Sequence, residues 1–326
     1  MNITDTPPAH VQAELEALSA SLDEQVPPKM TDRNLLIATW NIKSFASVTK
    51  KWTAGDGDSP KRDFRAVHYI TEIISRFDII AIQEVKGDLR ALRYMLKLLN
   101  RDAPNWSFLM TDVSQGNAGN NERMAFVFDT RRVSLSGLAC ELVVAPDDPD
   151  IDPEVAANQF ARTPYAVGFR AGAHTFILTT LHVDYAARKG GRLQELDAIA
   201  KWVQRWAGQE RAWSHDLLVL GDFNIDRAGD ELYEAFVSTG LTVAPDMVGL
   251  RRSLFDEEGE GMSTLRYYDQ ISWFAGEGGE SGLTMEYRGG GNVAFDGLCY
   301  GELGLSNSKL QHRVSDHLLL WGEFGR

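Results

Sequence analysis

LLVLGDFN (217–224) is an apolar run that closes on two polar groups, Asp222 and Asn224. A short Leu/Val run of this kind reads as a strand buried on both faces. Three other runs share the construction. LLIATWN (35–41) ends on Asn41, DIIAIQE (78–84) ends on Glu84, and SDHLLLW (315–321) opens with Asp316 and His317. Four buried strands therefore deliver carboxylates, carboxamides and an imidazole to one rim of a sheet. Hard oxygen donors with a histidine, and no cysteine among them, suit Mg²⁺ or Mn²⁺ chemistry on a phosphate. Taken singly, each has a plainer reading: Asn41 as a turn residue, the GD pair as a loop former or helix cap, SDH as a loop end. Four of them at matching strand ends argue against accident.

The chain has 326 residues, long for one domain but within the range of large α/β sandwiches, and its 44% apolar content can fill a large core. The 33 basic and 46 acidic residues leave a net charge of −13, which argues against a non-specific polyanion coat. A nucleic-acid substrate stays compatible with that balance if a local basic cleft and a divalent cation supply the attraction. Cys140 and Cys299 are read as buried free thiols rather than a disulfide framework. The N-terminal stretch lacks a basic region followed by an apolar one, and no apolar run approaches the roughly 18 residues of a membrane span. The expectation is a soluble, cytoplasmic protein.

Val11, Leu15, Leu18 and Leu22 recur at helical spacing, which predicts a helix over 9–25, stopped by Pro27 and Pro28. Residues 1–33 are taken as an appendage that packs on the body or contacts a protein partner, and 34–326 as the catalytic domain. Helices are predicted over 63–76, 89–99, 190–207 and 230–239. Strands are predicted over 106–112, 123–129, 132–144, 165–170, 174–183, 216–220, 264–274, 283–288 and 317–324, with Gly289-Gly290-Gly291 as a connection. This mixture fits two packed sheets with helices on their outer faces.

WN at 40–41, QE at 83–84, GDFN at 221–224, YDQIS at 268–272 and SDH at 315–317 occur in an order that resembles the endonuclease/exonuclease/phosphatase superfamily. Within it the chain looks most like the deoxyribonuclease I branch, on QEVKGDLRALRYMLKLL (83–99), NERMAFVF (121–128), ARTPYAVGF (161–169) and TTLHVDY (179–185). The resemblance implies a four-layered α/β sandwich, two packed mixed β-sheets flanked by helices. It also implies a DNA-cleaving phosphodiesterase that uses Mg²⁺, with Mn²⁺ or Ca²⁺ as alternatives. Three departures stand out. PDDPDIDPEVAANQF (146–160) lacks the cysteine pair of the corresponding loop, and the secreted enzymes' signal peptide is absent. Asn120 stands where the branch carries an aromatic that packs in the DNA minor groove, which implies a weaker hold on duplex.

Phosphodiester hydrolysis needs an in-line water, neutralised phosphoryl oxygens and a protonated leaving oxygen. Glu84 is the expected metal ligand, with Asn41 through its amide oxygen and Asp316 completing the shell. The resemblance pairs His317 with Asp269 and His182 with Glu122, two imidazole–carboxylate pairs that share acid and base work. His317 with Asp222 is favoured on the water side and His182 on the leaving-group side. Asn224, two residues after Asp222, shares its face in an extended chain. Arg162 offers a fork for phosphate oxygens, and Lys86 is the leading contact of a phosphate track that also includes Lys50, Lys51, Lys61, Arg62, Arg90 and Arg93. The remaining histidines are read as structural or surface residues. Two competing readings are a phosphatase or phosphodiesterase acting on a small or lipid phosphate, and a non-catalytic binding scaffold.

Overall fold

Alternation along one strand decides which layer each side chain enters. In the computed structural model, β1 (Asn34–Phe45) is buried along almost its whole length. Leu35 and Ile37 join a core shared with Phe126, Phe169 and Leu218. Leu36, Ala38 and Trp40 point the other way, into a core with Val67, Ile70 and Ile74. The structure describes the chain except residues 115–119, 146, 150, 152, 154–159, 186–188, 209–215, 258, 260, 262–263 and 276–281.

The other strands are β2 (Ile79–Lys86), β3 (Trp106–Met110), β4 (Glu122–Asp129), β5 (Ser134–Glu141), β6 (Tyr165–Ala171), β7 (His174–His182), β8 (Leu217–Asp222), β9 (Leu241–Val243), β10 (Asp269–Phe274), β11 (Tyr287–Val293) and β12 (Leu319–Gly325). They form two six-stranded sheets, ordered β11-β12-β1-β2-β4-β3 and β5-β6-β7-β8-β10-β9. The described helices are α1 (Ala9–Gln25), α2 (Phe64–Ser75), α3 (Arg90–Leu99), α4 (Lys189–Ala207), α5 (Glu231–Val237), α6 (Pro245–Val248) and α7 (Asn307–Leu310). The arrangement is the expected four-layered sandwich.

Each sheet contains one parallel pair made by a crossover helix. β1 returns through α2 to β2, and β7 returns through α4 to β8. α2 starts where Asp63 caps it, its Oδ1 accepting from the Ala66 amide at 3.0 Å. The N-terminal helix α1 lies on the body: Leu18 and Leu22 enter the helix-side core, and Gln25 exchanges hydrogen bonds with the backbone of Ala294 at 2.8 and 3.3 Å. The two cysteines are free thiols, Cys299 buried and Cys140 partly so.

Two readings of the C-terminal third are corrected. Gly289-Gly290-Gly291 is not a connection but the middle of β11, paired with Glu323, Gly322 and Trp321. A Cβ on Gly290 would meet the Met247 Cε at 2.3 Å, and one on Gly291 would meet the Trp321 ring at 2.7 Å. Side-chain-free residues let α6 and Trp321 lie against that strand, which a turn-oriented reading of glycine misses. The strand expected from 264 begins only at Asp269. Before it, the Arg252 guanidinium lies 4.0 Å from the Tyr267 ring centroid and Tyr267 O accepts from Gln270 Nε2 at 2.6 Å, so these residues form an ordered loop.

Candidate active site

The two parallel pairs end against each other. In one, Asn41 stands opposite Gln83; in the other, His182 stands opposite Asp222. The Asn41 carboxamide spans the gap, donating to Asp222 Oδ2 at 2.9 Å and to Glu84 Oε1 at 3.3 Å. Beneath it, Gln83 Nε2 donates to Thr39 Oγ1 at 3.1 Å and to Thr180 Oγ1 at 3.0 Å, a buried polar link between the sheets. The ladders lose register here, β1–β2 beyond Asn41 and β2–β4 beyond Ile82, and Glu84 takes a left-handed φ of 61°. Bulges re-aim side chains at sheet rims. This one turns Glu84 so that Oε2 accepts from the Ser44 amide at 2.8 Å.

Asn41, Glu84, His182, Asp222, Asn224, Asp316 and His317 line one cleft of about 310 Å³. Asp222 is its centre: Oδ2 lies 3.5 Å from His182 Nε2 and 3.8 Å from His317 Nε2. Asn224, left-handed at φ 49°, donates from its amide nitrogen to Asp222 Oδ1 at 3.0 Å and from Nδ2 to Val183 O at 2.6 Å. Asp269 sits behind His317, its Oδ2 bonded to Nδ1 at 2.7 Å. Glu122 sits behind His182, its Oε2 at 3.2 Å from Nδ1.

The two pairs differ in charge. Burial works against the His317 cation, but the carboxylates of Asp269, Asp222 and Asp316 outweigh it and raise the imidazole's pKa. Burial pushes the Asp269 carboxyl up as well, against the pull of His317. Burial would also raise Glu122; His182, Arg162 and Lys86 outweigh it and hold that carboxyl at about 2.

A divalent cation fits the donors present. Asn41 Oδ1 is buried without a hydrogen-bond partner, beside the Glu84 carboxylate. A buried acceptor without a donor, next to an anionic oxygen, is an arrangement a hard cation satisfies. Asp316 faces the same cleft, with Oδ2 2.5 Å from Lys43 Nζ. Among the described residues, Asp222, Asp269 and His317 also bring ligand atoms within 4.8 Å of one another. There His317 Nδ1 and Asp269 Oδ2 already bond each other at 2.7 Å.

The chain's residues 38–276 match the Endonuclease/Exonuclease/phosphatase family. The chain belongs to that family. Among curated relatives, a deoxyribonuclease of Thioalkalivibrio sp. (strain K90mix) is 26% identical over 200 residues, 61% of this chain and 48% of that protein. Human deoxyribonuclease-1 is 29% identical over 199 residues, 59% of this chain and 61% of that protein. The match thus spans roughly half to three fifths of these relatives' length. Among solved structures, zebrafish (D. rerio) TDP2 complexed with single-strand DNA product superposes with a TM-score of 0.55 at 13% identity, covering 90% of this chain and 99% of that one. A Bacteroides thetaiotaomicron mannosyl-6-phosphatase gives 0.53 at 16% identity, covering 89% and 99%. At those identities the structures bear on the fold.

Of the expected site residues, Asn41, Glu84, His182, Asp222, Asn224, Asp316 and His317 thus line one cleft, with Glu122 and Asp269 behind the two imidazoles; Arg162 and Lys86 do not line it. Arg162 is 6% exposed, with Nε 2.6 Å from Glu122 Oε2, and does not line the cleft. Lys86 Nζ is 2.6 Å from Glu122 Oε1. Arg62 is corrected outright: it is buried, donating to the carbonyls of Lys43, Ser44, Arg313 and Val314, and so ties the end of β1 to the segment before Asp316 instead of reaching solvent. Asn120 turns inward, Nδ2 donating to Glu122 Oε1 at 2.6 Å. His68 is buried with Nε2 3.0 Å from Ile3 O, and His312 is exposed in a turn after α7 rather than on a helix. His215 and most of 146–160 lie outside the described residues.

Sequence reasoning missed the mouth of the cleft: Tyr185, Ser253, Phe255, Arg266 and Tyr268. Tyr185 and Tyr268 each sit inside a motif already quoted, and an aromatic next to a catalytic motif was the available signal. Phe255 and Arg266 had none, because the sequence around them has no period.

Proposed function

We propose that this protein is a divalent-cation-dependent phosphodiesterase that cleaves DNA. The observation that supports the reading best is the convergence of two imidazoles, each backed by its own carboxylate, on the single oxygen Asp222 Oδ2. Such a pair of imidazoles on either side of one acceptor can divide proton donation from water orientation across a phosphate. Glu84 and Asn41, with Asp316, would hold the cation, which when bound supplies charge neutralisation at the phosphoryl oxygens. Asp222 and Asn224 then orient the water, and His317 and His182 hold or release the protons. The deoxyribonuclease names of the relatives favour DNA as the substrate.

A second reading, a phosphatase acting on a small phosphate, draws on the modest cleft of about 310 Å³. The decisive experiment incubates the full chain with supercoiled plasmid and, separately, with sugar and inositol phosphates, in Mg²⁺ and in excess EDTA. Metal-dependent nicking without phosphate release supports the first reading. Phosphate release without nicking replaces it with the second.

A further inference from the structure

We infer that the cleft mouth grips one unpaired base beside the scissile phosphate, so that the preferred substrate is single-stranded or frayed DNA rather than intact duplex. The inference rests on the phosphodiesterase reading and specifies its substrate. Its first observation is an aromatic rim on the same cleft as the catalytic groups. Tyr185 is 60% exposed and Phe255 39% exposed, although both line that cleft. Between the rim and the catalytic centre stands Tyr268, its ring 6.2 Å from that of Tyr185 and 5.5 Å from that of His317. The Tyr185 and Tyr268 rings meet edge to face at 83°, and the Arg192 guanidinium lies 5.4 Å from the Tyr185 ring centroid, so a row of separate rings, with exposed area on Tyr185 and Phe255, leads from solvent to the imidazole.

The second observation is that four cations on or beside the cleft are paired with the protein's own acceptors. Lys43 lies 2.5 Å from Asp316, Arg266 2.8 Å from Asp256, and Lys86 and Arg162 both 2.6 Å from Glu122. In a chain of net charge −13, these paired cations make a poor polyanion track. Binding that draws little on side-chain cations beyond the metal-held phosphate draws instead on bases, and exposed aromatic rings stack on any base whose face is free. In duplex DNA both faces of an internal base are already stacked. The rim therefore selects for a strand whose bases are unpaired.

The test uses the full chain. Binding of the His182→Ala variant in Mg²⁺ is measured by fluorescence anisotropy to a thymidine single strand, to the same strand without bases, and to a duplex of equal length. The single strand should bind at least about tenfold tighter than either of the other two, with a shallow salt dependence. Adding Tyr185→Ala or Phe255→Ala should each weaken single-strand binding on the order of tenfold, and Tyr185→Trp should restore it. Tyr185 is largely exposed, so its truncation leaves the core intact. Equal binding of the base-free strand, or duplex binding as tight as the single strand, overturns the inference. Wild-type protein that nicks plasmid without preferring single strands sinks this inference alone; wild-type protein that cleaves neither form sinks the phosphodiesterase reading beneath it.

Discussion

The two histidine–carboxylate pairs have the same parts and opposite surroundings. His317 and Asp269 are joined by an aligned hydrogen bond of 2.7 Å, with further carboxylates on the imidazole's other side. His182 Nδ1 and Glu122 Oε2 lie 3.2 Å apart without hydrogen-bond alignment, and Glu122 is shared with Arg162, Lys86 and Asn120. The first pair is a cation in a nest of anions; the second is an anion in a nest of cations. The lesson is that a carboxylate behind a histidine does not by itself set the histidine's role. What else the carboxylate touches decides whether its charge is spent on the ring or on its other neighbours.

The largest test bears on what both pairs share, the oxygen donors between them. Glu84→Ala, or wild type in excess EDTA, should lose nearly all plasmid nicking, because Glu84 is the carboxylate beside the open Asn41 acceptor. Full nicking under either condition would remove the metal from the reading.

His317→Ala and His182→Ala should each lower turnover by about two to four orders of magnitude, the usual worth of a general acid or base. Near-wild-type turnover in one of them would reduce that pair to a structural contact and break the symmetry.

The carboxylate partners sharpen the contrast. Asp269→Asn removes the aligned acceptor of His317, so turnover should fall about tenfold to a hundredfold. Glu122→Gln leaves three donors facing a neutral amide, so its larger effect should be on stability, about 1–3 kcal/mol for breaking a buried charged cluster. Turnover and denaturant melts on both variants separate the two outcomes, and equal effects on both readouts would erase the distinction.

The smallest effect is in pH. Glu122 has its folded pKa depressed from 4.5 to about 2. Its contribution is present above pH about 4.5 and is lost as pH falls toward about 2. His317 is raised from 6.5 to about 10, so its contribution is present below pH about 6.5 and is lost as pH rises toward about 10. Denaturant melts in EDTA should show Glu122→Gln converging on wild type in acid and His317→Ala converging on it in alkali. Convergence at the same end of the scale would contradict the opposed surroundings.

Much of the site was legible in one dimension because it sits where apolar runs stop. Asn41 and Glu84 close apolar runs where β1 and β2 break register, Asp222 and His182 end their strands, and Asp316 and His317 precede one. The rim and the cation pairing were not legible. Phe255 and Arg266 reach the cleft from a loop held by Arg252, whose guanidinium bonds the carbonyls of Met247, Leu250 and Asp269, and nothing in their spacing announces that. Arg62, Lys86 and Arg162 look alike as letters in basic stretches; whether each meets solvent or a buried acceptor depends on segments far away in sequence.

The sequence by itself determined most of the strands and the polar groups at the ends of the apolar runs, because burial and periodicity act over neighbouring residues. Only the tertiary structure decided that the β1–β2 and β7–β8 ends abut through Asn41 and Asp222, that Gly289–Gly291 form a strand beneath Trp321, and that the cations are spent internally. Those outcomes follow from Coulomb forces and close packing between groups on different elements, from Lys86 with Glu122 to Asn41 with Asp222, and local sequence carries no record of such partners.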